Sequence, residues 1–523
     1  MTPDYSFIDS SDISLRRVLE GILCKDPHLW GSAFDGPSDF LGWVDAPQET
    51  LDQLSDLTAM VPDLHMEFDQ AVLLGFGGSS LSARTLIDLY GEISGLEFSY
   101  LDSTIPSQIE TVERSMNLSR TLFLVSSKSG STFETMCLFK YFFQKVSTFS
   151  DRTNIGEQFL AITDKGSPLD IVAKENEFRM VLHGYPGVGG RYSVFTPFGV
   201  FPGLLSGVPV QAVLEGGVSA SKATGQNGEL VFIEDLLRFL LNGLKRGKDK
   251  LVIYTDEGLE GMGLWIEQML AESLGKSGVG IIPVVRSHTE GSAIERNDSM
   301  VMNIRVNKES NWKSGPDEYS MVIDSPFSLG FQLFTWSLIT AALGKLMGVN
   351  PFDQPHVESS KKAMSVILHS ESDDTEISWD EQMKSASDLI TSANYRDYIG
   401  ILCYLPKSDK VLQLTKVLVD RIERETELVC TLHLGPGYLH SVGQLHKGGP
   451  ENARFLMIGE KFSDESLVLP GETYGFTKIL EAQFNGDFLA LTSFKKKVTR
   501  IRFMEGIENG FLRMFKDLQL NIF

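Results

Sequence analysis

The sequence predicts an α/β protein: two tandem doubly wound parallel-sheet domains followed by a smaller C-terminal α/β appendage. Three observations carry this. From about residue 67 short apolar runs alternate with longer helical patterns, a second such set begins near residue 230, and a third follows residue 395. Strand, helix, strand at that spacing builds βαβ units and a parallel sheet covered on both faces.

In the first set the strand QAVLLGF leads into the helix LSARTLIDLYG, and LEFSYLD, a polar helix, TLFLVSS and the helix TFETMCLFKYFF follow. QFLAITD and FRMVLHG continue the pattern. The second set runs from the helix LVFIEDLLRFLLNGLKRG through LVIYTD, the helix GLWIEQMLAESLG and GIIPVV to a long apolar helix around Leu333 to Met347. The third has the strand YIGILCYLP, the helix KVLQLTKVLVDRIERET, the strands LVCTLHLG and FLMIGE, and a final helical GFLRMFKDLQL. The expected organisation is a helical lead-in over 1–66, domains over 67–225 and 226–394, and the appendage over 395–523.

Composition narrows the function. With 523 residues, 42% hydrophobic and 10% aromatic, the chain has material for substantial cores. A formal net charge of −22 argues against the broad basic face that nucleic-acid binding needs. An anionic substrate therefore requires a locally positive pocket. Cys24, Cys137, Cys403 and Cys430 lie far apart with no CxxC pair, which reads as four reduced, buried thiols rather than a zinc site or a disulfide framework. The polar, acidic start differs from a secretory signal, so a cytoplasmic location is expected. Phe327 to Gly344 approaches the length of a membrane span but carries Gln332 and several hydroxyls, which reads as a buried core helix and no membrane association.

Six stretches carry chemistry. Gly75-Phe-Gly77-Gly78-Ser79-Ser80 sits between a strand and a helix, where glycines let backbone N–H groups approach an anion. A dinucleotide-binding fingerprint would need glycine where Ser80 stands, although Asp102 follows a strand at about the ribose-binding distance. The stretch Ser126-Ser127-Lys128-Ser129-Gly130-Ser131-Thr132-Phe133-Glu134 places five hydroxyls and a lysine at another strand-to-helix turn. One hydroxyl suffices for a helix cap, whereas five with a lysine form a phosphate cradle. Gly189-Gly190-Arg191-Tyr192-Ser193 presents an arginine that can stabilise a developing enediolate. In the helix around Trp265, Gln268 and Glu272 share a face, and the apolar surroundings of Glu272 suit a carboxylate with a raised pKa and a general-base role. Asn350-Pro-Phe-Asp353-Gln354-Pro355 opens a helix that carries Lys361. The last stretch, His440 to Pro450, is dense in His, Lys and Gly, and its two histidines lack a third ligand at metal spacing, so no metal is expected.

Taken in order, these stretches resemble phosphoglucose isomerase, with its two sugar-isomerase (SIS) domains. The matching segments are Gly77 to Ser79, Ser127 to Thr135, Gly189 to Ser193, Glu272 to Lys276 and Phe352 to Lys361. Leu73 to Leu81, Asn350 to Pro355 and Tyr438 to Pro450 look more closely like the isomerase half of the bifunctional transaldolase/phosphoglucose isomerases. The lead-in of about 66 residues is too short for a transaldolase barrel, which needs roughly 200 or more, so only the isomerase half is expected.

The resemblance implies an enzyme of glycolysis and gluconeogenesis that interconverts glucose 6-phosphate and fructose 6-phosphate through a cis-enediolate, with no cofactor. It implies phosphate binding by Gly78, Ser79, Ser127, Lys128, Ser129 and Thr132, and anion stabilisation by Arg191. Glu272 would move the proton, with Gln268 and Gln354 as polar neighbours, and Lys361 would contact the ring oxygen. The partner is a small sugar phosphate, neither nucleic acid nor membrane, and the family implies a homodimer. Where the wider family has a ring-opening histidine this chain reads Asn303-Ile-Arg305; His356, His440 and His446 are the candidates, with His446 first. The rivals are a non-catalytic sugar-phosphate-binding SIS module, which needs the cradle but not the base, and a nicotinamide-dependent oxidoreductase.

Overall fold

The computed structural model describes residues 5, 12–30, 37–91, 95–149, 154–223, 229–288, 296–306, 315–356, 364–368, 377–461 and 467–518. Their strands form three sheets in which every pairing is parallel. The first contains β1 (Gln70–Gly75), β2 (Glu97–Leu101), β3 (Thr121–Ser126), β4 (Phe159–Thr163) and β5 (Met180–His183), in the order β2-β1-β3-β4-β5. The second contains β6 (Lys250–Thr255), β7 (Ile282–Ser287), β8 (Ser299–Arg305) and β9 (Glu318–Val322), ordered β7-β6-β8-β9. The third contains β10 (Tyr398–Tyr404), β11 (Val429–Leu434), β12 (Ala453–Glu460) and β13 (Lys497–Phe503), ordered β11-β10-β12-β13. In each sheet the strand order reverses beside the first strand, and the crevice beyond the carboxyl ends at that reversal is where doubly wound sheets bind ligands.

The first two sheets share one core. Leu73 and Leu124 belong to it, as do Leu251 and Ile253 from the second sheet. That core also takes in the helix Pro326–Met347, apolar on all sides, as a helix enclosed by protein must be. Ser325 and Ser328 cap it reciprocally, Pro326 occupies its first turn, and Gly348 ends it at φ +72°. The helix is long and apolar enough to cross a membrane, and 83% of its most apolar window is buried inside the protein; Leu333, Phe334, Trp336 and Leu343 are fully enclosed. Each such side chain contributes roughly 1.5–3 kcal/mol. The third sheet has its own core around Ile399, Ile401 and Leu418. A further cluster joins it to the second sheet through Val252, Tyr254, Tyr398 and Phe455.

Three strands escape the apolar-run signal. β9 and β13 are sheet edges, and the burial of β13 alternates along KVTRIRF because one face stays wet. β8 has its apolar run broken by Asn303. The thiols also depart from the sequence reading: Cys137, Cys403 and Cys430 are buried, but Cys24 is exposed.

Candidate active site

The site is built at the reversal point of the first sheet. β1 ends in Gly75-Phe76-Gly77-Gly78, and the helix Gly78–Tyr90 starts there. β3 ends at Ser126, and the phosphate loop leads from it into the helix Phe133–Phe149. Gly77 has φ +57°, and a Cβ there would stand 2.2 Å from the His440 carbonyl oxygen. A Cβ on Gly78 would stand 2.2 Å from the Gly190 carbonyl oxygen and 2.8 Å from the Arg191 nitrogen. These two glycines let the 187–193 and 437–441 loops close over the end of β1. Gly78→Ala should therefore push the Gly190–Arg191 turn outward, costing about 1–3 kcal/mol of overpacking and displacing Arg191. Thermal melting together with turnover checks this, and a variant that melts and turns over like the parent would contradict it.

In the phosphate loop the Ser127 and Thr132 hydroxyls lie 2.9 Å apart, and Ser129 and Ser131 are exposed, with Ser131 Oγ 3.1 Å from Ser129 Oγ. Lys128 is paired with Asp164. Ser79 is buried and its carbonyl accepts from Ser126 Oγ at 2.9 Å. Gly130 at φ +66° makes the turn before the helix Phe133–Phe149, whose N-terminal amides face the loop and favour an anion there.

Across the cleft runs the helix Glu260–Leu274, buried on almost every face. Glu272 is 4% exposed, and Oε2 accepts from Gln354 Nε2 at 2.8 Å and Gln268 Nε2 at 3.3 Å. Arg191 Nη1 lies 3.7 Å from the same oxygen. Burial pushes the Glu272 carboxyl up to about 7, against the opposing pull of Arg191 and His440. Arg191 is itself fixed: Nε donates to Ser273 Oγ at 2.7 Å and Nη2 to the Pro351 carbonyl. Lys276 donates to the Asp353 carboxylate at 2.6 Å and to the Asn350 carbonyl, tying the 350–354 turn to the helix. Burial, with Arg191 nearby, brings the Lys276 ammonium down to about 7.

The structure thus brings Glu272, Gln268, Gln354 and Arg191 together, with Gly78 against the Arg191 turn. Ser79, Ser127, Lys128, Ser129 and Thr132 gather at the adjoining loop. Lys361 lies outside the described residues. His446 is placed elsewhere: it is fully buried, its ring packs against Phe455 at 4.7 Å and His433 at 5.0 Å, and neither ring nitrogen has a hydrogen-bond partner among the described residues. Burial drives its pKa well below the usual histidine value. His356 Nδ1 accepts from Gln444 Nε2 at 2.7 Å.

The histidine at the cleft is His440. Its carbonyl accepts from Gln268 Nε2 at 3.0 Å and its Nε2 lies 3.1 Å from Glu134 Oε1. Gln483 Nε2 donates to Glu134 at 2.9 Å, and Thr104 Oγ1 to Gln483 at 2.6 Å. Burial works to raise the Glu134 carboxyl, yet His440 and these hydrogen bonds hold it down at about 2. Sequence reasoning quoted Glu134 within the phosphate-loop motif but gave it no role; its position in the first helical turn behind the loop was the available signal. Among the described residues no group of three or more His, Cys, Asp or Glu side chains is placed to hold a metal.

Residues 62–297 match the family model described as phosphoglucose isomerase. A probable glucose-6-phosphate isomerase of Methanococcus maripaludis is 26% identical over 385 residues, covering 64% of this chain and 86% of the relative. The glucose-6-phosphate isomerase of Leptospira biflexa is 26% identical over 430 residues, covering 69% and 93%. Among solved structures, a hypothetical protein of Thermus thermophilus superposes with a TM-score of 0.56 at 24% identity, over 68% of this chain and 95% of that one. A glucose-6-phosphate isomerase of Chlamydia trachomatis gives 0.55 at 19%, over 68% and 83%. The matched segment contains the Gly78 turn, the phosphate loop, Arg191 and Glu272, and over it the chain is similar to the phosphoglucose isomerases.

Proposed function

We propose that the chain is an aldose–ketose isomerase that interconverts glucose 6-phosphate and fructose 6-phosphate. The observation that carries this is Glu272, a buried carboxyl raised to about 7, between two amides and a fixed guanidinium. Proton transfer between C1 and C2 needs a base that is free near neutral pH, an anion stabiliser and an anchor for the phosphate. Glu272 is the base, and Arg191, already 3.7 Å from it, stabilises the enediolate oxygen. Gly78, Ser79, Ser127, Lys128, Ser129 and Thr132 hold the phosphate, with Gln268 and Gln354 orienting Glu272. His440, backed by Glu134, handles the ring-oxygen proton in place of His446, and Lys361 assists. The domain division at 67–225, 226–394 and 395–523 belongs to the same proposal, with the site where the three meet. Its working place is the cytoplasm, and its assembly a homodimer.

A coupled assay of the purified protein with fructose 6-phosphate tests the reading. Steady production of glucose 6-phosphate supports it, and binding of the sugar phosphate without turnover would make the chain a sensor instead. Because Glu272 must be ionised to accept the proton and burial raises its pKa, kcat/KM should climb with pH through about 7 and level off above. A profile that falls across that range would reverse the role of Glu272. His440→Ala should slow turnover of the cyclic substrate roughly 10²-fold or more while leaving an open-chain analogue nearly unaffected. His446→Ala should spare both, judged as turnover per folded molecule; the opposite ranking would restore His446.

A further inference from the structure

Where the three sheets meet there is a second cavity, of about 230 Å³, that the isomerisation does not use. It is far larger than the ~10–15 Å³ a single water requires. Gly77 and Ser441 are part of its lining, and its polar groups come from Arg84, Asp102, Glu267, Lys407 and His433. The apolar part of the lining is largely leucine, from Leu81, Leu264, Leu412 and Leu432 among others.

Two of these polar groups lack the partners that burial demands. Glu267 is 5% exposed and His433 6% exposed; their nearest approach is 3.8 Å from Oε1 to Nδ1, and neither side chain has a hydrogen bond among the described residues. Burial raises the Glu267 carboxyl to about 8 and lowers the His433 imidazole to about 3, so both are neutral at pH 7, one an O–H donor and the other carrying one donor and one acceptor nitrogen. An unsatisfied buried polar group costs about 1–3 kcal/mol, and these two open onto the same space. Arg84, held by Asp88 at 2.9 Å, and Lys407 bring positive charge to that lining, and Asp102 is near enough to act on both.

We propose that this cavity is a binding site for a small polyhydroxylated monocarboxylic acid, separate from the sugar-phosphate site. The carboxylate meets Arg84 and Lys407, the hydroxyls satisfy Glu267 and His433, and the carbon chain lies along the leucines. Asp88 holds Arg84, and Asp102 offsets part of the positive charge that remains, which disfavours a phosphate dianion relative to a monoanion.

Equilibrium dialysis of the full chain with labelled D-gluconate tests this, with and without saturating fructose 6-phosphate. The expected result is one gluconate per chain, retained in the presence of the sugar phosphate. Lys407→Ala, at an exposed position, should weaken binding roughly tenfold or more, as loss of a charged hydrogen-bond partner does, with isomerase turnover unchanged; His433→Phe should weaken it as well. Three results would overturn the site: no binding up to tens of millimolar, which leaves the cavity to water; displacement by fructose 6-phosphate, which puts gluconate in the catalytic cleft; or parent-like affinity in Lys407→Ala. None depends on whether the chain turns over sugar phosphates.

Discussion

Replacing Glu272 with Gln should lower turnover by roughly 10²–10⁴-fold, the usual consequence of losing a general base, while fructose 6-phosphate still binds. The substitution preserves shape in a site where the side chain is almost fully enclosed. The amide oxygen can still accept from Gln354 and Gln268, which hold the present carboxylate at 2.8 and 3.3 Å. It also removes a buried acidic group whose ionisation is opposed by burial, so folding should not suffer. The phosphate loop lies on a different element and keeps its hydroxyls. The measurement is a pair: turnover in the coupled assay, and dissociation of the substrate from the inactive variant by calorimetry. Turnover within a few-fold of the parent would remove Glu272 from the mechanism. Loss of binding along with turnover would instead mean a damaged cleft, and Glu272→Asp would then separate a positional failure from a chemical one.

The largest effect on stability should come from Asp487→Ala. Lys447 Nζ lies 2.8 Å from Asp487 Oδ1, with side chains 2% and 0% exposed. Tyr438 donates to the other oxygen at 2.6 Å, and its hydroxyl lies 3.1 Å from that of Tyr404. Removing the carboxylate strands an ammonium inside the protein, which costs about 3–5 kcal/mol, and takes away the tyrosine's acceptor. The midpoint of chemical denaturation reads this directly. Replacing the pair together, as Lys447→Met with Asp487→Leu, should restore most of the loss, because the charges rather than the volume are the liability. A single variant within about 1 kcal/mol of the parent would show that the pair is solvated. Since Tyr438 precedes His440 by two positions, the single variant should also lose activity as the loop shifts, and the paired replacement tests how much of that depends on Tyr438.

Much of this molecule was legible in the chain. Interior strands such as β1, β3 and β10 are continuous apolar runs because parallel sheets are covered on both faces, and the turns that follow them hold the glycines and hydroxyls that an anion needs. Gln268 and Glu272 were placed on one face by helical spacing alone, and in the structure Gln268 and Gln354 both donate to Glu272. The edge strands β9 and β13 were not legible, since a half-wet strand mixes charged with apolar residues, and Cys24 was assigned to the core when it lies at the surface.

What tertiary structure alone decided is which histidine faces the cleft. His440 and His446 sit six residues apart in one short segment, with nothing local to rank them. The difference comes from packing: Gly77 admits the His440 carbonyl to the end of β1 and Glu134 draws its ring toward the phosphate helix, whereas His446 is turned into the aromatic cluster between the second and third sheets. The same holds for the raised pKa of Glu272. Sequence supplied a carboxylate among apolar neighbours, but its shift comes from desolvation by segments far away along the chain, which only the assembled sheets bring together.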